Sequence, residues 1–357
     1  MNSSKQHSTY SQAGFSLVEI LVGLVIGLLA TLVIMQVFAV FEGQKRTTTG
    51  TADAQTNGSI ALYTIAHELQ MAGYGLLPAT DSPLECTTLA FGATGITDIS
   101  PVTITDGGAA AGASDSISIR YATSASGGVP SPITAPPAGN NATIDNNLGC
   151  QVDDIAMIVN GTSCNLTKVT ALPDFITITL QDPTGAIVDA NLSCLGAWNV
   201  TVFGVNPNYD PADPANSQAY LERNGAPSVA DIVNMQAQYG VSASASSNQV
   251  TQWVDASGAT WAAPTVADRN RIKAVRIAVV ARNGLLEKDN VSNACSSLTA
   301  DAPTGLCAWS ATSASPLISS PAPAIDLSND PVWRRYRYRV FETIVPLRNM
   351  IWSKDTL

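Results

Sequence analysis

The chain has 357 residues, of which 45% are hydrophobic and 13% are charged, a composition typical of a globular protein with a substantial buried core. Its formal net charge is −10, and such acidity argues against a general affinity for nucleic acid or anionic lipid. The length is sufficient for one large domain or two modest ones.

The first predicted element is an apolar helix, which follows the residues Gly14-Phe15-Ser16-Leu17-Val18-Glu19. From Ile20 to Phe41 the sequence contains no charged residue, and roughly 20 apolar residues span the hydrocarbon core of a bilayer. A secretory signal peptide is a poorer explanation, because its apolar region has only about 7 to 15 residues. A plain membrane anchor does not explain Glu19, since a charge inside the membrane edge costs about 2.5 kcal/mol or more.

This Gly-Phe junction, followed by Glu19 and an unbroken apolar helix, resembles the class III signal of type IV prepilins and pseudopilins. The resemblance implies that a prepilin peptidase cleaves between Gly14 and Phe15, that the new Phe15 amine is N-methylated, and that the apolar run stays in the mature protein. It also implies that Glu19 pairs with the terminal amine of a neighbouring subunit during assembly. In a medium of low dielectric this attraction offsets part of the desolvation cost of the two charges.

Two features of the apolar run refine the resemblance. Major pilins commonly carry a helix-kinking proline, whereas Gln36 occupies the corresponding position and no proline occurs between Phe15 and Leu77. This difference favours a minor pilin or a pseudopilin. Gly23 and Gly27 form a G-x-x-x-G motif, which predicts a helix-packing contact.

After Phe41 the helix is predicted to change character. Residues 42–58 are polar and rich in threonine, so we expect a frayed or bent stretch there. Apolar residues then recur at three- and four-residue spacing from Leu62 to Ala72, and Gly73-Tyr74-Gly75 ends the pattern. The long helix is therefore expected to have an apolar half and an amphipathic half that packs on a sheet.

Beyond Pro78 the sequence predicts a β-rich domain, because short alternating segments are separated by turn-forming residues. Asn160-Gly161 lies between two apolar runs and predicts a hairpin. Period-two alternation predicts strands at 117–121, 176–180 and 275–279. Loops rich in small residues and proline are predicted at 107–112, 124–140, 242–247 and 310–323.

Six cysteines lie beyond the apolar run, and we expect them to form three disulfides in an oxidising compartment: Cys86, Cys150, Cys164, Cys194, Cys295 and Cys307. Cys295 with Cys307 is the preferred local pairing, and Cys150 with Cys164 is a second one. Sequence does not choose among the other connectivities. No C-x-x-C occurs and the only histidines are His7 and His67, so neither a metal site nor a cofactor is predicted.

Three further segments resemble the PilW family of minor pilins. Residues 66–75 resemble that family's helix end, residues 231–240 resemble its short helix leading to a central hairpin that includes 272–277, and residues 339–349 resemble its closing strand. The resemblance implies an α+β, type IV pilin-like fold in which a long N-terminal helix packs on a β-rich globular domain.

These expectations divide the chain into a prepilin leader (1–14), a transmembrane and filament-core half of the helix (15–41), an amphipathic half (42–76) and a β-rich, disulfide-containing domain (77–357). The resemblance implies a single-pass protein of the bacterial inner membrane with a periplasmic domain, which later enters the pilus at the cell surface. The implied partners are other minor pilins, the major pilin, the prepilin peptidase, the inner-membrane assembly machinery and, before assembly, membrane lipid.

The implied function is that of a non-enzymatic minor pilin in the complex that primes type IV pilus assembly, with the pilus tip as a candidate position. A J-type minor pseudopilin of a type II secretion system and a tip adhesin or DNA-uptake subunit are the alternatives. The sequence offers no catalytic constellation, because His67 falls on the predicted helix and His7 in the leader.

Basic residues are concentrated near the C-terminus of this acidic chain: Arg334, Arg335, Arg337, Arg339 and Arg348. Their alternation with Tyr336, Tyr338 and Val340 predicts a strand. The arginines are either solvated or paired with nearby acids, or they form a docking patch for an acidic neighbouring pilin or for DNA.

Overall fold

The computed structural model describes residues 14–76, 86–92, 94–124, 126–206, 218–296, 304–309 and 325–351. The predicted leader up to residue 13 and the predicted loop at 310–323 lie outside these ranges. The chain divides into two compact units, Met1–Thr51 and Ala52–Leu357.

A single long helix, α1 (Leu17–Met71), accounts for the described part of the first unit and continues into the second. It begins where the backbone N–H groups of Glu19 and Ile20 donate to the carbonyl oxygen of Ser16, at 3.0 and 3.2 Å. The large apolar side chains from Phe15 to Phe41 are exposed. By length and composition, α1 is able to cross a membrane.

The expectation of a frayed stretch within 42–58 is wrong, because α1 is continuous there. The hydroxyl groups of Thr47, Thr48 and Thr51 donate to carbonyl oxygens one helical turn earlier, at 3.0, 2.9 and 2.8 Å. These bonds satisfy the polar side chains within the helix, so the low helix propensity of threonine is not enough to interrupt it.

Sixteen strands follow α1 in the described residues: β1 (Thr88–Ala90), β2 (Val102–Thr105), β3 (Ser116–Ala122), β4 (Pro130–Ala138), β5 (Asn141–Ile144), β6 (Ile155–Asn160), β7 (Ser163–Ala171), β8 (Thr177–Leu180), β9 (Asn191–Gly196), β10 (Trp198–Asn206), β11 (Tyr220–Arg223), β12 (Ala226–Ala230), β13 (Ile232–Ser242), β14 (Val250–Val254), β15 (Ile272–Arg282) and β16 (Tyr338–Pro346). Short helices occur at α2 (Gly258–Trp261), α3 (Val266–Arg269) and α4 (Arg348–Ile351). The fold is therefore α+β, as expected.

The core of the second unit lies between the amphipathic part of α1 and two sheets. One sheet has the order β12-β11-β10-β3-β2, and the other has the order β14-β13-β15-β16. Ile65 and Leu69 of α1 are fully buried in the same cluster as Ile117 and Tyr239 of the sheets. This burial confirms the predicted amphipathic half, since the apolar positions recur at helical spacing.

Two glycines have structural roles in and directly after α1: one allows a close contact with β16, and the other ends the helix. A Cβ atom at Gly58 would lie only 2.1 Å from the Phe341 ring of β16, so the missing side chain permits that close approach. Gly73 adopts a φ of 77° directly after the end of the helix, as the predicted stop signal requires.

Strands β4 to β9 form a closed ring that we call the barrel (residues 130–196). The ring order is β7-β6-β9-β4-β5-β8, and β8 pairs again with β7. β1 is not part of the ring and pairs with the first residues of β7 in parallel. The barrel is filled by side chains, among which Ile133, Ile144, Ile158, Ile178 and Leu192 are almost completely buried. The barrel is inserted between β3 and β10, which pair directly with each other.

Several predicted elements are present. The strands expected at 117–121, 176–180 and 275–279 correspond to β3, β8 and β15. The predicted hairpin is confirmed, because β6 and β7 are antiparallel and Gly161 adopts a φ of 57° in their turn.

The loop expected at 124–140 is wrong in part, because β4 occupies residues 130–138. β4 changes partner along its length, pairing with β9 at Pro130–Pro132 and then with β5 through two register shifts. A proline-rich strand is accommodated by such irregular pairing, since fewer of its residues must donate to a regular ladder.

The short helix expected within 231–240 is also wrong, because these residues form most of β13. Met235, Ala237 and Tyr239 alternate into the core. The intervening Gln236 and Gln238 are equally buried on the opposite face, where they are hydrogen-bonded. Both faces of β13 are thus covered. One face carries apolar residues and the other carries buried amides, which gives the strand its period of two.

The disulfides join Cys86 to Cys164, Cys150 to Cys194, and Cys295 to Cys307. The last pair is the one preferred from the sequence, whereas the suggested pairing of Cys150 with Cys164 is wrong. The loop that contains Cys150 leads into β6 near Ala156, which lies opposite Cys194. Cys164 pairs with the far end of β6, opposite Val159, and so lies out of reach of Cys150.

Candidate functional site

The predicted processing and assembly residues lie together at the start of α1. Gly14 and Phe15 precede the helix, and the Phe15 side chain is 80% exposed. Glu19 is exposed in the first helical turn. A carboxylate is favoured there because the unsatisfied N–H groups give the helix N-terminus a partial positive charge. Glu19 thus lies beside a large apolar surface. Once that surface is buried, its carboxylate needs a cationic partner.

The apolar part of α1 offers a surface for packing against lipid or other helices. Ideal Cβ atoms built at Gly23 and Gly27 would have no other heavy atom within 4 Å. The G-x-x-x-G motif therefore lies open on the helix, where the small residues leave room for another backbone.

The C-terminal arginines do not form the predicted strand from residue 334 onward. Residues Trp333–Arg335 form a 3₁₀ turn, and β16 begins only at Tyr338. The turn is fixed by a neighbouring loop, because the backbone N–H of Glu287 donates to the carbonyl oxygen of Arg335 at 2.8 Å.

The arginines separate into two pairs by their contacts. The Nε atom of Arg335 donates to the carbonyl oxygen of Glu287 at 2.8 Å, and the Nε atom of Arg337 donates to its carboxylate at 2.9 Å. Arg334 and Arg339 are exposed and lie over the rings of Trp333 and Phe341. Arg335 and Arg337 are thus paired within the chain, and Arg334 and Arg339 present their charge to solvent.

A buried arginine was not anticipated from the sequence. Arg276 on β15 donates from Nε to the Gln238 side-chain oxygen at 2.8 Å, and its guanidinium lies 4.1 Å from the Trp309 ring and 5.1 Å from the Trp253 ring. Gln238 donates in turn to Asp255 at 2.5 Å. Burial lowers the pKa of Arg276 to about 10. The alternation at 275–279 predicted the strand but not this burial, and the signal that could have indicated it is the pair of amides, Gln236 and Gln238, on β13.

A second polar contact ties α1 to the five-stranded sheet. The buried carboxylate of Glu68 forms a salt bridge with Arg223 on β11 and accepts a hydrogen bond from the Thr201 hydroxyl at 3.4 Å. The neighbouring His67 is exposed, with its ring centroid 6.0 Å from that of Tyr63. Among the described residues, no group of three His, Cys, Asp or Glu side chains could hold a metal ion.

Asp115 joins the start of β3 to β13. Its two carboxylate oxygens accept the backbone N–H groups of Gly107 and Ala237, at 2.9 and 2.7 Å. Burial raises its pKa to about 6, and the charges of Asp106 and Asp255 act in the same direction. The folded state therefore holds this proton more tightly than the unfolded state does.

We expect Asp115 to make the domain less stable as the pH rises from about 4 to about 6. In that window the folded state retains a proton that the unfolded state has lost, so the free energy of unfolding falls by up to about 3 kcal/mol. Asp115→Asn removes this dependence, although its amide nitrogen cannot accept an N–H group, so one of the two hydrogen bonds is lost at every pH. Urea unfolding at several pH values should show wild type losing stability relative to D115N across this window. A parallel slope for the two proteins would contradict the assignment, and Asp189→Asn at an exposed site is the matched control.

Comparison with protein-family models gives two matches. Residues 10–35 match the prokaryotic N-terminal methylation motif, and residues 214–349 match the family described as Type IV Pilus-assembly protein W. The first range contains the Gly14-Phe15 junction and Glu19, and the second runs from before β11 into α4. The barrel lies outside both.

Searches of curated proteins and of solved structures each found no match. The methylation motif coincides with the start of the long apolar helix, and the second match coincides with the strands that pack beside its amphipathic part. The chain is therefore similar to PilW-type pilins over residues 214–349 and carries a match to the prepilin methylation motif at its start.

Proposed function

We propose that this chain is a non-enzymatic minor pilin of the type IV pilus and belongs to the complex that primes pilus assembly, with the pilus tip as its position. The observation that carries the proposal is the methylation motif at the start of a long helix whose large apolar side chains from Phe15 to Phe41 are exposed. Such a surface is stable only when lipid or other helices cover it. A protein that passes from membrane to filament provides both environments in turn.

In this proposal the leader (1–14) is removed between Gly14 and Phe15, and the Phe15 amine is N-methylated. The half-helix at 15–41 first spans the inner membrane once and later enters the filament core. The segment 42–76 and the β-rich part at 77–357 form a periplasmic, pilin-like domain. The prepilin peptidase, the inner-membrane assembly machinery and membrane lipid are then the partners before assembly.

Glu19 sets the register of assembly by pairing with the Phe15 amine of a neighbouring subunit. Both charges are buried in the filament core, where an unpaired charge costs several kcal/mol. Gly23 and Gly27 allow a neighbouring helix to approach closely. The partners in the filament are other minor pilins and the major pilin.

Arg334 and Arg339 form the docking patch toward an acidic neighbouring pilin, whereas Arg335 and Arg337 mainly hold Glu287. Exposed arginines contribute specificity and association rate more than affinity. The net charge of −10 makes DNA a poor partner for the chain as a whole.

The test is deletion of the gene in its host. We expect loss of surface pili and of twitching motility, with both restored by the wild-type gene and only partly by a gene carrying Arg334→Glu and Arg339→Glu. Secretion of exoproteins should be unchanged. Lost secretion with normal pili would instead identify a J-type pseudopilin of a type II secretion system.

A further inference from the structure

Two loops at one end of the barrel hold apolar side chains in solvent. The loop before β6 (145–154) carries Leu148, which is 74% exposed, and the loop after β7 (172–176) carries Phe175, which is 81% exposed. The loops share one end because β6 and β7 are antiparallel. The backbone N–H of Asn147 donates to the Phe175 carbonyl oxygen at 3.0 Å, so the loops lie side by side. We call Leu148, Val152, Phe175 and Ile176 the tip patch.

The tip patch is held by loops with a defined conformation. One oxygen of the Asp174 carboxylate accepts the N–H groups of Ile176 and Thr177, at 2.9 and 2.7 Å. The Asn147 side chain donates to the Asp174 carbonyl oxygen at 2.6 Å. The Cys150–Cys194 disulfide fastens the other loop to β9. Little conformational entropy is then lost when a partner covers these side chains, which is the property of a preorganised binding surface.

The charges around the tip patch are mainly negative. In the fully described stretch 126–196 the only basic side chain is Lys168, and it pairs with Asp153 at 2.7 Å. The acids at this end of the barrel are Asp145, Asp153, Asp154 and Asp174. Carboxylates around exposed apolar anchors repel phosphate groups, and hence nucleic acid and anionic lipid, and they favour a basic protein surface.

We propose that the tip patch docks a protein partner that presents an apolar pocket rimmed by lysine and arginine. Phe175 and Leu148 are the anchors that fill the pocket, since buried aromatic and aliphatic groups at an interface centre carry most of its affinity. The surrounding acids select the partner and accelerate its association. The inference goes beyond the assembly role proposed above, because the barrel lies outside both family matches and away from Glu19 in the sequence.

The test uses the full chain in its own host, with a photoreactive amino acid in place of Val152. We expect one identified protein to be crosslinked through a segment rich in lysine or arginine. Phe175→Ser and, separately, Asp145→Lys should each lower the yield at least threefold, and the yield should fall as ionic strength rises. A photoreactive residue at Ile187 is the matched control, since this half-exposed side chain precedes β9 at the opposite end of the barrel.

Several outcomes would overturn the proposal. One is that the crosslinking yield at Val152 does not exceed the yield at the control position Ile187. The others are that only lipid or DNA is crosslinked, or that the protein is crosslinked through an acidic segment. Wild-type amide hydrogen exchange in β6 and β9 of the purified variants shows that each variant barrel is folded. The same strains are scored for surface pili. Normal pili without an adduct would reject the docking role of the tip patch and leave the proposed assembly role intact. Absent pili with the adduct retained would show that the docking and assembly roles are not independent.

Discussion

Glu19→Ala is expected to lower the amount of this protein in sheared pili at least tenfold, while cleavage at Gly14 continues. In the proposed assembly, the variant leaves the Phe15 amine of a neighbouring subunit without its partner in an apolar core, and an unpaired buried charge costs several kcal/mol. Glu19→Gln should have nearly the same effect, because it keeps the size of the side chain and removes only the charge. Immunoblots of the pilus and membrane fractions measure incorporation, and mass spectrometry of the N-terminus measures cleavage.

The control for this experiment is Gln36→Ala, which changes another exposed polar residue of the same apolar run. It should leave both incorporation and cleavage at the wild-type level. Wild-type incorporation of the Glu19→Ala protein would reject the register role. Loss of cleavage in that protein would show instead that Glu19 acts during processing.

Removing the Cys150–Cys194 disulfide is expected to destabilise the barrel more than any single surface substitution would. The cysteines are 44 residues apart, and closing a loop of that length in the unfolded chain corresponds to about 4 kcal/mol in the chain-entropy model. We expect Cys150→Ser with Cys194→Ser to increase amide hydrogen exchange in β6 and β9. β13 and β15 should be little affected, because they belong to a different sheet.

The matched variant is Cys295→Ser with Cys307→Ser, whose cysteines are only 12 residues apart. Its loop-closure effect is about 3 kcal/mol, and it should leave exchange in the barrel unchanged. Equal increases throughout the domain after loss of the Cys150–Cys194 bond would show that the barrel does not open separately. Both proteins can be measured as full chains in detergent.

Local patterns in the sequence predicted the elements that form from local interactions. The apolar run, the stop at Gly73-Tyr74-Gly75 and the hairpin at Asn160-Gly161 each depend on neighbouring residues, and the structure contains all three. The prepilin signal was recognisable because it is a local motif, with Gly14-Phe15 and Glu19 directly before the apolar run. The match to the methylation motif agrees with that recognition.

Features that depend on distant pairing were missed. The barrel closes through β8 and β7 and is fastened by Cys194, and no local pattern indicates which strands meet. A short helix was expected within 231–240 from the resemblance to the PilW family, and the structure has β13 there instead. The burial of Arg276 was not predicted, since the two tryptophans that enclose it come from distant parts of the chain.

The position of the barrel in the chain has a consequence for how this protein can diversify. The chain leaves the five-stranded sheet after Ala122 and returns at Trp198, and these two residues are paired neighbours. Because the exit and the return adjoin, the intervening 75 or so residues can lengthen, shorten or be exchanged without shifting the register of β3 and β10. Changes in the length or sequence of the barrel are therefore compatible with an unchanged α1 and an unchanged pairing of β3 with β10.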